Sequence, residues 1–111
     1  LRPGIRWDGW RFEAVKSVDE GRGAWAAELP GDAELVVRAW QPGDRMSAGR
    51  RPRRVKRFFR DAQVPGIERA GWPVVLVNDE IVWIPGVRRS DAATERSGRP
   101  ALPYRCERND A

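Results

Sequence analysis

Between Arg45 and Arg60 the chain carries Arg45, Arg50, Arg51, Arg53, Arg54, Lys56, Arg57 and Arg60, with no acid among them. Guanidinium groups pair two-pronged with phosphate oxygens, so a surface presenting several at once can hold a polyanion. The 111-residue sequence has 21 Lys and Arg against 16 Asp and Glu, a net charge of +5. With those eight cations set aside the remainder is slightly acidic. The positive charge is therefore a patch, as expected of an anion-binding surface. Two phenylalanines, Phe58 and Phe59, lie inside the run. Val55, Phe58, Phe59 and Ala62 recur at i, i+3, i+4 and i+7, one face of a helix. That helix is expected to begin near Pro52, since proline suits a first helical turn, and to close before Pro65. The apolar stripe anchors it and leaves Arg53, Arg54, Lys56, Arg57 and Arg60 facing outward. A solvated basic face with no partner is the plain alternative on charge alone. A membrane surface fits less well, because the short apolar face is needed for the core.

Other chemistry is poorly served. The sequence has no histidine, so the usual general base and triad partner are missing. Neither a Gly-x-Gly-x-x-Gly run nor a P-loop occurs. Asp79 and Glu80 fall in a predicted turn, where capping and solvation suit them better than work as an acid–base pair. Cys106 is the one cysteine. It forms no intrachain disulfide and no zinc site without histidine, which points to a reducing, cytoplasmic compartment. No apolar run approaches the ~20 residues of a membrane span, and no stretch reads as a signal peptide. A chain that starts at Leu1 reads as a piece of a longer protein. Asp44, in "WQPGDR", has two readings: a turn carboxylate accepting backbone N–H bonds, or a group that orients arginines at a binding surface. Trp40 shares a strand face with Val36 and Arg38 beside the basic loop. It is either core or a platform for a base or ribose.

The elements that must position these residues are mostly strands. "IRW" and "WRFEAV" flank Asp8-Gly9, a dipeptide of tight antiparallel turns. "DEGRG" is loop. "AWAAEL" places Trp25, Ala27 and Leu29 on one face of a strand, and "ELVVRAW" reads as another, ended by "QPGDR". After the basic helix, "GIERAG" is a short helical turn stopped by Gly71. "PVVLV" and "EIVWIPG" are apolar runs split by Asn78-Asp79, a buried hairpin near the centre of a sheet. Trp10, Trp25 and Trp83 fit core positions. Pro85-Gly86 ends the hairpin, and Arg88 and Arg89 follow. From Ser90 the chain is poor in apolar residues and balanced in charge, which predicts a solvated or mobile tail over 90–111. The fold class expected is α+β: a mostly antiparallel sheet that could curl into a barrel, with one principal basic helix, over residues 1–89.

Three stretches in order, "VRAWQPGDRM" (37–46), "VKRFFRDAQVP" (55–65) and "WPVVLVNDEIVWIPGVR" (72–88), resemble the C-terminal domain of tRNA(Ile)-lysidine synthetases. The loop "SAGRRPRR" departs from that family, where lysines and a Pro-Leu-Gly turn are usual. The resemblance implies an enzyme that ligates lysine to the wobble cytidine of an isoleucine tRNA anticodon, using ATP with magnesium. Its catalysis would lie in an N-terminal PP-loop domain bearing Ser-Gly-Gly-x-Asp-Ser, a motif this chain lacks. The chain would then be a tRNA-recognition module with no cofactor of its own. Its partners would be tRNA and the catalytic domain of the same polypeptide, with no membrane. By position, the tRNA grip falls on Arg45, Arg50, Arg51, Arg53, Arg54, Lys56, Arg57 and Arg60. Arg38, Trp40, Asp44, Arg88 and Arg89 would make further contacts or support. A rival reading is a non-catalytic interaction module whose basic patch docks on an acidic domain or subunit.

Overall fold

Residues 5–7, 9–14, 25–30, 35–48, 51–90 and 101–108 are described by the computed structural model. Strands β1 (Ile5–Trp7) and β2 (Trp10–Ala14) pair antiparallel with Trp7 opposite Trp10, and Gly9 between them has φ +83°. Only a residue without Cβ takes that conformation at no cost, which is why Asp-Gly works there. Strand β3 (Ala26–Pro30) buries Ala27 and Leu29 and exposes Glu28.

The second sheet holds β4 (Leu35–Ala39), β5 (Arg45–Ala48), β6 (Arg51–Arg54), β7 (Pro73–Val77), β8 (Glu80–Ile84) and β9 (Arg88–Arg89). Its order is β4-β7-β8-β5-β6, with β9 also on β8. The β7–β8 hairpin is central and buried, as its two apolar runs require, and Asn78 and Asp79 both have positive φ (51° and 64°). Successive positive φ values make the turn whose twist matches paired strands, and Asn and Asp tolerate them best. Strands β4 and β6 lie at opposite ends of the path, so this sheet is open and the barrel expectation is corrected. The architecture is α+β and mostly β.

Helix α1 (Val55–Asp61) begins three residues later than the proline suggests. Pro52 sits instead in β6, opposite Ser47 of β5, at a sheet edge where a missing N–H disrupts nothing. Arg53 and Arg54 are therefore strand residues. The helix ends before Pro65 is reached. Gln63 takes φ +59°, its N–H donates to the Arg60 carbonyl, and the Val64 N–H donates to the Phe59 carbonyl. Those two bonds form a Schellman stop, with half-buried Val64 as its apolar contact. Helix α2 (Gly66–Arg69) follows, and Gly71 (φ +75°) ends the segment.

The largest correction concerns the tail. Strand β10 (Ala101–Arg108) lies inside the first sheet, whose order is β1-β2-β10-β3. Tyr104 and Cys106 are buried, while Glu107 is exposed. Arg105 lies opposite Glu13 and forms an ion pair with it, and Arg11 holds the other oxygen of the same carboxylate at 2.9 Å. The alternation is genuine, but its outward charges mask it. Residues 91–100 and 109–111, also assigned to the tail, and the "DEGRG" loop lie outside the described residues. Burial pushes the Cys106 thiol up, away from its reactive thiolate. The native chain is accordingly expected to resist a chromogenic disulfide reagent that titrates the unfolded chain fully. Rapid reaction without denaturant would show that β10 is not docked.

The two sheets share one core. Trp72 is its hub, with ring centroids 4.8 Å from Trp10, 5.6 Å from Phe59 and 6.4 Å from Trp25. Trp10 and Trp83 are buried and Trp25 half-buried, as expected. Gly86 (φ +76°) lies against the Trp25 ring, where an added Cβ would meet Cε2 at 2.6 Å. Among the described residues, no helix is long and apolar enough to cross a membrane.

Candidate nucleic-acid interface

Phe58 and Phe59 keep 5% and 0% of their surface exposed, and Val55 is fully buried beside them. The remaining face of α1 must then look outward, and Lys56, Arg57 and Arg60 are exposed on it. Strand β6 contributes Arg51, Arg53 and Arg54, all exposed, and β5 contributes exposed Arg45. Arg45, Arg53, Arg54, Lys56, Arg57 and Arg60, with Pro52 and Asp61, line one open cleft of about 590 Å³. None of these six cations is in an ion pair with another described residue. Arg51 lies on the same hairpin outside the cleft lining, and Arg50 lies outside the described residues.

The charges run against the needs of a short helix. A helix favours acids in its first turn and cations in its last. Here the first turn has no acid, Lys56 and Arg57 stand near the start, and Asp61 closes the last turn beside Arg60. Arg60 alone suits the dipole; helix stability does not account for Lys56, Arg57 or Asp61.

Asp44 ties the hairpin to the helix. Arg38 Nη1 and Nη2 donate to its two carboxylate oxygens at 2.8 and 2.9 Å. The Gln41 N–H donates to the same carboxylate at 2.7 Å, and the Asp44 carbonyl accepts the first helical N–H, that of Val55, at 2.9 Å. No side chain caps α1, so this main-chain bond satisfies one of its orphan donors. Burial alone would raise the Asp44 carboxyl, but the Arg38 and Gln41 bonds outweigh it and hold the group below the usual carboxylate range. A depressed folded value means stability present above the unfolded value and lost as pH falls through the folded one. The turn-carboxylate reading of Asp44 is the one the structure shows: its carboxylate fixes Arg38 and the Gln41 N–H, and its carbonyl holds the start of α1.

The other supporting candidates divide. Arg38 is held by Asp44 and also donates to the Ala39 carbonyl. Trp40 is half-buried, packs edge-on against Phe59 at 5.1 Å, and donates its indole N–H to the Arg69 carbonyl. Its ring serves the core. Arg88 and Arg89 are exposed on β9, and the Arg88 guanidinium lies 5.8 Å from the centre of the Phe58 ring. Sequence reasoning missed Arg69, which donates to the Val64 carbonyl and covers Phe59 at 5.7 Å. It also missed Asp61, whose signal was available: it is the first acid after the cationic run.

Residues 35–106 match the family model of the TilS substrate C-terminal domain. The chain is similar to the tRNA(Ile)-lysidine synthase of Symbiobacterium thermophilum, at 37% identity over 86 residues, covering 71% of this chain and 17% of that protein. The Bacillus subtilis enzyme of the same name is 36% identical over 77 residues, covering 64% of this chain and 16% of that protein. That of Caldanaerobacter subterraneus is 40% identical over 60 residues, covering 52% and 13%. This chain thus spans about a sixth of the length of these relatives. The fold matches a crystal structure of a TilS C-terminal domain with a TM-score of 0.72 at 22% identity, covering 100% of this chain and 92% of that one.

Proposed function

Since this chain belongs to the TilS substrate C-terminal domain family, we propose that it grips tRNA for a parent tRNA(Ile)-lysidine synthase. In this reading the rest of the polypeptide carries a PP-loop domain, which uses ATP and magnesium to join lysine to the wobble cytidine. The present chain supplies placement. A-form RNA hides its bases in a deep, narrow groove, so a stem is held by shape and phosphate contacts. Holding the stem at a fixed distance turns an encounter into a positioned reaction at the far anticodon.

The observation that carries the reading is the cleft between β6 and α1, where six cations converge and none is in an ion pair with another described residue. Two of the family-like segments, 37–46 and 55–65, supply Arg45 and the α1 cations, β6 adds its own arginines from the stretch that departs from the family, and the buried phenylalanines hold α1 in one orientation.

If about five phosphates are neutralised, log K for tRNA falls against log salt with a slope of about −3.5 to −4.5. A titration of the 111-residue chain with tRNA at several salt concentrations measures this. A flat response discards the phosphate grip. Failure to bind tRNA together with tight binding to an acidic protein surface would favour a protein-docking role instead.

A further inference from the structure

Asp61 is out of place by two independent criteria. It lines a cleft whose other charged residues are all cationic, where a carboxylate repels phosphate. It also stands in the last turn of α1, where a negative charge opposes the helix dipole. Asp61 is exposed and forms no contact ion pair with a described arginine or lysine. A carboxylate is an acceptor only. Inside a phosphate-binding cleft it gains from a nucleic acid that brings a donor close to the backbone. The ribose 2′-hydroxyl is that donor, and it is the group by which a protein tells RNA from DNA.

We infer that Asp61 accepts a hydrogen bond from a ribose 2′-hydroxyl while its cationic neighbours hold the flanking phosphates, making the cleft selective for RNA over DNA. The inference rests on the nucleic-acid reading of this cleft and assigns its one acid a role in specificity.

The test compares the 111-residue chain on a short RNA hairpin stem and on the same stem with 2′-fluoro sugars. The fluorinated stem keeps A-form shape and phosphate charge but has no 2′ donor. The unaltered chain is expected to bind the hydroxyl stem about tenfold more tightly, the scale of a hydrogen bond to a charged group. Asp61→Ala is expected to bring that ratio to about one and to strengthen binding of the fluoro stem, because the repulsive charge is gone. Asp61→Ala is expected to stay folded, since the side chain is exposed and makes no hydrogen bond or ion pair with another described residue. Equal binding of both stems by the unaltered chain overturns the inference, as does a ratio that survives Asp61→Ala. A preference lost when inosine replaces guanine, but not when fluorine replaces the hydroxyl, would move the contact to a base edge and also overturn it. If both stems bind with a steep salt dependence and no ratio, the inference alone fails. If neither binds, the nucleic-acid reading fails with it.

Discussion

The triple variant Arg53→Ala/Arg57→Ala/Arg60→Ala is expected to lose about a hundredfold in tRNA affinity near 0.1 M salt while melting like the unaltered chain. Each lost phosphate contact removes about 0.7 to 0.9 from the salt slope, so the slope itself should become shallower by about 2 to 3. The melting temperature should hold because all three side chains are exposed and none makes an ion pair with another described residue. Surface changes of that kind stay within about 0.5 kcal/mol. The matching lysine triple separates charge from shape. It should restore most of the slope but not all of the affinity, because an ammonium cannot make the two-pronged phosphate contact. Unchanged affinity in the alanine triple would remove the cleft from consideration. Lost affinity accompanied by a large drop in melting temperature would show that the guanidinium groups serve the fold.

Phe59→Ala should do the reverse, costing about 3–5 kcal/mol of stability, the usual cost of truncating a fully buried phenylalanine. The ring has no exposed surface and meets Trp40, Trp72 and the Arg69 guanidinium. Its removal opens a cavity where the basic helix joins the hub of the core, and a marginally stable domain has little to spare. A thermal melt should fall by more than about 10 °C. RNA binding should fall in step with the unfolded fraction and recover on cooling, because no cation has been removed. A stable Phe59→Ala chain would mean that α1 is not anchored through this ring, and the outward face would lose its fixed orientation.

The contrast between these variants mirrors what could be read before any coordinates. Val55, Phe58 and Phe59 showed the helix through their spacing, because a short-range period needs no knowledge of partners. The Asn78-Asp79 hairpin was legible for the same reason: turn chemistry and two apolar runs are local signals. The β5–β6 hairpin was not, since a run of arginines has no alternation and Pro52 suits a first helical turn as well as an edge strand. Strand β10 was hidden by its own outward charges, and by partners between 71 (Ala101 to Pro30) and 98 (Arg108 to Trp10) residues away in β3 and β2. Burial of Tyr104 and Cys106 depends on strands that local reading cannot bring near them. The eight cations were legible as a group. Their arrangement was not: Arg53 and Arg54 face the cleft from a strand, and Asp61 joins them only through the turn of the helix.

The aromatic hub also makes the molecule its own optical probe. Trp10 and Trp25 stack with centroids 6.0 Å apart and planes 20° from parallel, and Trp72 leans on both. Indoles held that close mix their electronic transitions, giving circular dichroism that separated tryptophans cannot produce. Trp72 also touches Phe59 beneath the basic helix, so a disturbance at the cationic face has a direct route to this chromophore group. Label-free spectra could therefore follow loosening of the helix and parting of the sheets together.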